Sequence, residues 1–155
     1  MDLVYSELRD EFFSLLGGKR FMVLATSAED RVTARSMSCV IFDDKILFQT
    51  DKAFVKYEQM IKNPSVALCV DNIQIEGIAR MKGHPLDESN SDFAEAFKKV
   101  HTASFDNYSQ MKNEVVVEID PLLVTVWKYE DGRPLRDFLD LKNKKACREY
   151  YAAYN

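Results

Sequence analysis

The sequence predicts a mainly β protein with flanking helices, built as an antiparallel barrel of about six strands. Three observations lead there. Apolar or alternating runs of strand length recur along most of the chain. Turn signals at 27–30, Asp43-Asp44 and Asp71-Asn72 join neighbouring runs as hairpins. The helical stretches between them are too few for a series of βαβ units. There is no internal repeat, low-complexity segment or linker, so residues 1–155 read as a single domain.

Residues 2–16 carry Val4, Leu8, Phe12, Leu15 and Leu16 at helical spacing, and Gly17-Gly18 supplies a stop. The period changes after Arg20. Phe21-Met22-Val23-Leu24-Ala25-Thr26 is a continuous apolar strand, and residues 31–41 then alternate. In that run Val32, Ala34, Ser36, Ser38 and Val40 face one way, and Thr33, Arg35, Met37 and Cys39 the other. Residues 45–50 return after the Asp43-Asp44 hairpin. Thr50 or Asp51 is placed to cap a short helix whose buried stripe is Ala53, Tyr57, Met60 and Ile61, and Asn63-Pro64 ends it. Residues 66–70 and 73–82 read as a strand pair, the second broken by Gly77, which marks a bulge or a close backbone approach. A second helix starts at Asp92, with Glu95 completing a capping box and Phe93, Phe97 and Val100 as its stripe. Residues 115–119 and 122–128 read as a closing strand pair interrupted by Asp120-Pro121. The tail, about 141–154, reads as a helix with Cys147, Tyr150, Tyr151 and Tyr154 on one face.

Composition excludes several functions. Hydrophobic residues make up 46% and charged residues 30%, enough for a packed core and unlike a disordered chain. A net charge of −4 with scattered Lys and Arg argues against nucleic acid as a partner. No apolar run approaches bilayer length and the first residues do not resemble a signal peptide, so the expectation is a cytoplasmic protein without a membrane partner. The three cysteines and two histidines show no metal-ligand spacing, so no metal is expected. Serine-hydrolase, Rossmann and P-loop motifs are absent, which leaves any hard chemistry to a cofactor. Taken singly, the candidate residues are ambiguous. Arg35 reads as well as a strand residue paired with a surface carboxylate, Lys56 as a solvated helix residue, and Trp127 as core or interface packing.

Their order decides more. Thr33-Ala34-Arg35-Ser36-Met37-Ser38 is followed by Phe48-Gln49-Thr50, by Lys56-Tyr57-Glu58-Gln59-Met60-Ile61, and by Asn63-Pro64-Ser65-Val66. Ile75-Glu76-Gly77-Ile78-Ala79 and residues 116–127 extend the run. This succession resembles the pyridoxamine 5′-phosphate oxidase-like FMN-binding split β-barrels, over about residues 20–130. The resemblance implies a homodimer with FMN in the grooves between two six-stranded barrels. It implies that Arg35 and Lys56 meet the FMN phosphate, with Thr50 close by and Gln49 beside it. Ser36, Met37 and Ser38 would run along the isoalloxazine ring, Asn72 would supply a polar side chain near it, and Trp127 and Arg136 would approach it across the interface.

Departures from the pattern narrow the expectation. Phe54 and Val55 replace a Ser and a polar or basic residue that commonly reach the phosphate. Val40 stands where true pyridoxamine phosphate oxidases keep a substrate-binding Lys, and residues 85–108 lack their substrate-phosphate cluster. The resemblance therefore implies a flavoprotein oxidoreductase that passes hydride or electrons through flavin N5 to a small-molecule substrate such as a quinone or nitro compound. Pyridoxamine phosphate oxidation is not expected. The alternatives are a non-catalytic flavin-binding stress protein, a barrel that takes a deazaflavin or haem, and one that has lost its cofactor. No general acid stands out; Tyr57, His84 and His101 are candidates in name only.

Overall fold

The computed structural model describes residues 1–151. Among these, nine strands form one antiparallel sheet. They are β1 (Phe21–Ala28), β2 (Arg31–Ser38), β3 (Val40–Phe42), β4 (Lys45–Asp51), β5 (Ser65–Val70), β6 (Ile73–Met81), β7 (Glu114–Glu130), β8 (Arg133–Asp140) and β9 (Lys145–Tyr150). Helices α1 (Tyr5–Gly17), α2 (Val55–Lys62), α3 (Ser91–Val100) and α4 (Thr102–Tyr108) flank it.

The strand order is β2-β1-β5-β6-β7-β4-β3. Only Cys39 separates β2 from β3, so the two ends of that order are one bent strand and the sheet closes as a barrel of six. The Cys39 amide donates to the Arg20 carbonyl at 2.9 Å, which holds the bend against the start of β1. Two of the three expected hairpins turn on consecutive residues in the left-handed region, Glu29-Asp30 (φ 51° and 63°) and Asp43-Asp44 (51° and 59°); in the third, Asp71 alone has a positive φ of 51°.

The core fills the barrel. Met22, Leu24, Met37, Ile46, Phe48, Leu68, Ile75, Val117, Ile119 and Val124 point inward, and Leu8, Phe12 and Leu16 of α1 close one side. A smaller cluster lies outside the barrel, where Phe93 and Phe97 of α3 cover Val40, Leu47 and Val116. The result is that β4 is buried on both faces from Ile46 to Thr50.

The structure corrects several expectations. Helix α1 starts at Tyr5, and Val4 and Leu15 are exposed, so its buried stripe is narrower. Helix α2 begins after Phe54, without a Thr50 or Asp51 side-chain cap; it buries Gln59 and Met60 while Ala53 and Ile61 face solvent. Asp51 instead accepts the Ala53 amide at 2.7 Å. No capping box forms at α3, where Asn90 precedes the helix and donates its amide to the carbonyls of Lys82 and His84.

The expected strand pair around Asp120-Pro121 is the single strand β7. Pro121 lies between the end of the β4 pairing at Ile119 and the start of the β8 pairing at Leu123, where its missing N–H costs no ladder bond. On the other side the register shifts between Glu76 and Gly77, so the bulge expected at Gly77 is present. The C-terminal helix is replaced by β9, held by β8 on one side and by the N-terminal residues on the other. The Leu3 amide donates to the Ala146 carbonyl at 2.9 Å and the Arg148 amide to the Met1 carbonyl at 2.8 Å. Tyr154, part of the expected helical face, lies outside the described residues. No helix among the described residues is long and apolar enough to cross a membrane, and no cluster of three or more His, Cys, Asp or Glu could hold a metal there.

Candidate ligand-binding cavity

A cavity of about 460 Å³ opens where the end of β4 meets α2, α4 and the start of β7. Ser36, Met37 and Ser38 of β2 form one wall, and Gln49, Thr50 and Asp51 of β4 the next. Phe54 and Lys56 enter from the start of α2, Phe97, Ser104, Tyr108 and Met111 from the helical segment, and Glu114 from β7. The wall of β2 follows from its place in the sheet: it pairs with β1 alone, which leaves its second backbone edge free of a strand partner.

Helix α2 is anchored by one buried amide. Gln59 accepts from the hydroxyls of Thr26 and Thr33 at 2.6 Å each and donates to the Arg31 carbonyl at 3.1 Å. Arg35 joins this network behind the cavity rather than lining it, donating to Thr26 Oγ1 at 2.8 Å, to the Leu24 carbonyl at 3.3 Å and to the Thr33 hydroxyl. Among the described residues neither Arg35 nor Lys56 forms an ion pair, although the two cations repel each other. Burial lowers the pKa of Arg35. It also lowers that of Lys56, helped by Arg35 and opposed by Glu114. The Lys56 ammonium sits 4.8 Å above the Phe54 ring, so the replacement of a polar residue there still gives the cation a partner.

Two wall residues keep unsatisfied atoms. Gln49 Oε1 accepts from Ser109 Oγ at 2.8 Å, but Gln49 Nε2 and Thr50 Oγ1 are enclosed without a hydrogen-bond partner. Buried polar groups are rarely left so. The Lys56 cation, the orphaned polar atoms and a free backbone edge at one cavity fit the donor set that FMN, a polar-edged ring with a phosphate on its side chain, requires. The carboxylates of Asp51 and Glu114 are the exception in that wall.

The remaining expected residues gather elsewhere. Asn72 donates its side-chain amide to the Trp127 carbonyl, and the Trp127 amide donates back to the Asn72 carbonyl at 3.1 Å. Arg136 faces Trp127 across the β7–β8 ladder, bonds Glu149 at 3.2 Å and lies 5.4 Å from the Phe138 ring. The Trp127 ring meets Tyr129 and Tyr151, each at 6.1 Å. Within one chain this trio does not reach the cavity, which collects Ser36, Met37, Ser38, Gln49, Thr50 and Lys56.

Sequence reasoning passed over Glu114, Tyr108 and Met111. Glu114 offered one signal, a carboxylate directly before the apolar run Val115-Val116-Val117. Both histidines are engaged. His84 takes the Leu86 amide on Nδ1 at 3.1 Å and meets the Met111 carbonyl with Nε2 at 2.8 Å. His101 is buried, meets the Cys39 carbonyl at 2.9 Å and packs between the rings of Phe21 and Phe97.

A family model described as pyridoxamine 5′-phosphate oxidase matches residues 8–128. Among solved structures, the General Stress Protein 26 of Bacillus anthracis is 20% identical, with 87% of this chain and 99% of that one covered and a TM-score of 0.68. A pyridoxamine 5′-phosphate oxidase-related, FMN-binding protein of Nostoc punctiforme is 15% identical over 95% of this chain and 94% of its own, with a TM-score of 0.58. HutZ, the haem storage protein of Vibrio cholerae, is 14% identical over 76% and 92%, with a TM-score of 0.65. At these identities the likeness is one of fold, the split barrel. No curated protein shows a significant match.

Proposed function

This chain belongs to the pyridoxamine 5′-phosphate oxidase family, and from that footing we propose that it is an FMN-binding oxidoreductase acting on a small oxidised substrate. The observation that supports this best is the cavity beside β2. It combines Lys56, which forms no ion pair among the described residues, the Arg35 cation behind it, and two polar atoms that lack partners. Lys56 lies in the first turn of α2 and holds the phosphate there, beside the N–H groups that a helix start leaves free. The unpaired backbone edge at Ser36 to Ser38 would offer hydrogen-bonding groups to the polar rim of the flavin. When bound, FMN supplies hydride or electron transfer at N5.

The same reading makes the protein a homodimer. Phe21, Val23 and Val32 are exposed on the outer face of β1 and β2, which also carries Ala25, Ala34, Ala67 and Cys69. Ser36 and Ser38 lie on that same face, so a second copy seated on it would border the cavity, and the family resemblance would have that copy supply Asn72, Trp127 and Arg136. Haem ranks lower despite the HutZ fold, because His84 spends both ring nitrogens on the chain's own backbone and His101 is buried with its Nε2 on the Cys39 carbonyl.

The test is a visible spectrum and a flavin-fluorescence titration of the purified protein with FMN. Wild type is expected to retain flavin bands, and Lys56→Ala to weaken FMN by about tenfold or more, while binding of riboflavin, which lacks the phosphate, changes little. A colourless protein that releases all added FMN overturns the proposal. Turnover with a reduced nicotinamide and a quinone or nitro acceptor separates an enzyme from a flavin carrier.

A further inference from the structure

Glu114 lines the cavity with a carboxylate that no side chain or backbone group of the described residues bonds. It is 6% exposed and joins no ion pair among those residues. It lines the same wall as Lys56 and Thr50. Asp51 lies opposite it in the β4–β7 register, His84 faces it from the segment after β6, and Lys56 faces it from α2. An anion held by Lys56 would therefore sit beside two carboxylates, one of them buried.

We propose that Glu114 is the titrating counter-charge of this cavity: ionised, it opposes the anionic ligand, and protonated, it releases the charge of Lys56 to that ligand, so that anion affinity rises on acidification. The proposal rests on the reading of the cavity as an FMN phosphate site and adds its regulation. Burial and the Asp51 carboxylate push the Glu114 carboxyl up to about 6, with His84 and Lys56 pulling the other way. The sign follows by linkage. A bound anion raises that pKa further, so affinity is highest below about 6, falls as pH rises, and levels off once Glu114 is ionised in the complex as well.

The experiment measures the FMN dissociation constant from pH 5 to 8.5 for wild type and Glu114→Gln by flavin fluorescence. The FMN phosphate itself titrates near pH 6, so the quantity read is the ratio of the two constants, in which the ligand's own titration cancels. Wild type is expected to bind about tenfold more weakly than E114Q at pH 8 and about equally at pH 5. Riboflavin should show no such difference. Asp51→Asn keeps Glu114 and should move the midpoint of the wild-type profile to lower pH, so the proposal does not hang on one variant. A ratio that stays flat from pH 5 to 8.5 overturns the inference while leaving FMN binding intact. Where FMN fails to bind, the same ratio is read with sulfate, whose charge is fixed over this range, from shifts in unfolding temperature. Sulfate that discriminates the two proteins as described upholds the role of Glu114 though FMN is lost, and binding of neither anion overturns both readings.

Discussion

Asp137 is fully buried, and a carboxylate survives there only because cations reach it. Arg148 donates to it through Nε and Nη2 at 2.7 and 2.9 Å, and the Lys128 ammonium lies 2.9 Å away. Glu11 and Glu130 extend the set at 2.6 and 3.2 Å, tying β7, β8 and β9 to α1. Burial pushes the Asp137 pKa up, but the bonds from Arg148 and Lys128 outweigh it and hold it below the usual carboxylate range. Asp137→Asn is therefore expected to cost roughly 3–5 kcal/mol at pH 7 by leaving two cations with no buried partner. Because the folded pKa is depressed, the stabilisation is present above the ordinary Asp value of about 3.9 and fades as pH falls through the folded one. Urea unfolding at pH 7 and pH 3 should show the gap between wild type and D137N narrow; an equal gap at both would mean that the carboxylate's charge is irrelevant. Nothing in the sequence distinguished Asp137 from other surface-type aspartates. Glu114 was opaque for a related reason, since its chemistry comes from Asp51, Lys56 and His84, which only the folded sheet brings to it.

Elements were legible where local chemistry and tertiary context agree. The hairpins at Asp43-Asp44 and Asp71-Asn72 are set by residues that tolerate a left-handed backbone, and the strands around them were read correctly. The β7–β8 hairpin carried an equally strong signal, Asp131-Gly132 with φ of 51° and 78°, which had gone unread. Strand β9 had no such signal. Its helical spacing of Cys147, Tyr150 and Tyr151 is overridden by the β8 ladder on one edge and, on the other, by a bridge to residues at the far end of the chain. The α2 stripe was misjudged because its anchor is the polar Gln59, invisible to a hydrophobic pattern. Gly77 shows a local reading and a tertiary one meeting at a single residue. A Cβ there would lie 2.7 Å from the Asp120 carbonyl oxygen and 2.8 Å from Ile119 Cγ2, at the point where β7 exchanges β4 for β8. Gly77→Ala also restricts the unfolded chain, which favours folding by about 0.4–1 kcal/mol, but a backbone oxygen gives little ground. The expected net loss is about 1–3 kcal/mol, read as a lower urea midpoint with unchanged slope. A variant as stable as wild type would mean that the strands part there without cost.

At the scale of the whole molecule, the barrel leaves one face unaccounted for. The outward residues of β1 and β2 form adjoining pairs, Phe21 opposite Ser38, Val23 opposite Ser36, Ala25 opposite Ala34 and Ser27 opposite Val32, and Cys69 and Ala67 of β5 continue the surface. Phe21, Val23 and Val32 are 59%, 44% and 71% exposed, and contiguous apolar surface of this kind marks an interaction site. Because Ser36 and Ser38 belong both to this face and to the cavity wall, the proposed association and the proposed FMN site would share residues. Anything that binds the dimer but not the single chain is linked to protein concentration by mass action. Val23→Lys combined with Val32→Lys should thus do two things at once. It should convert a dimer to a folded monomer in sedimentation velocity, with circular dichroism unchanged, and it should weaken FMN although no phosphate contact has been touched. If the double variant sediments as a monomer yet binds FMN as wild type does, the flavin is held by one chain alone, and Asn72, Trp127 and Arg136 have no part in the site.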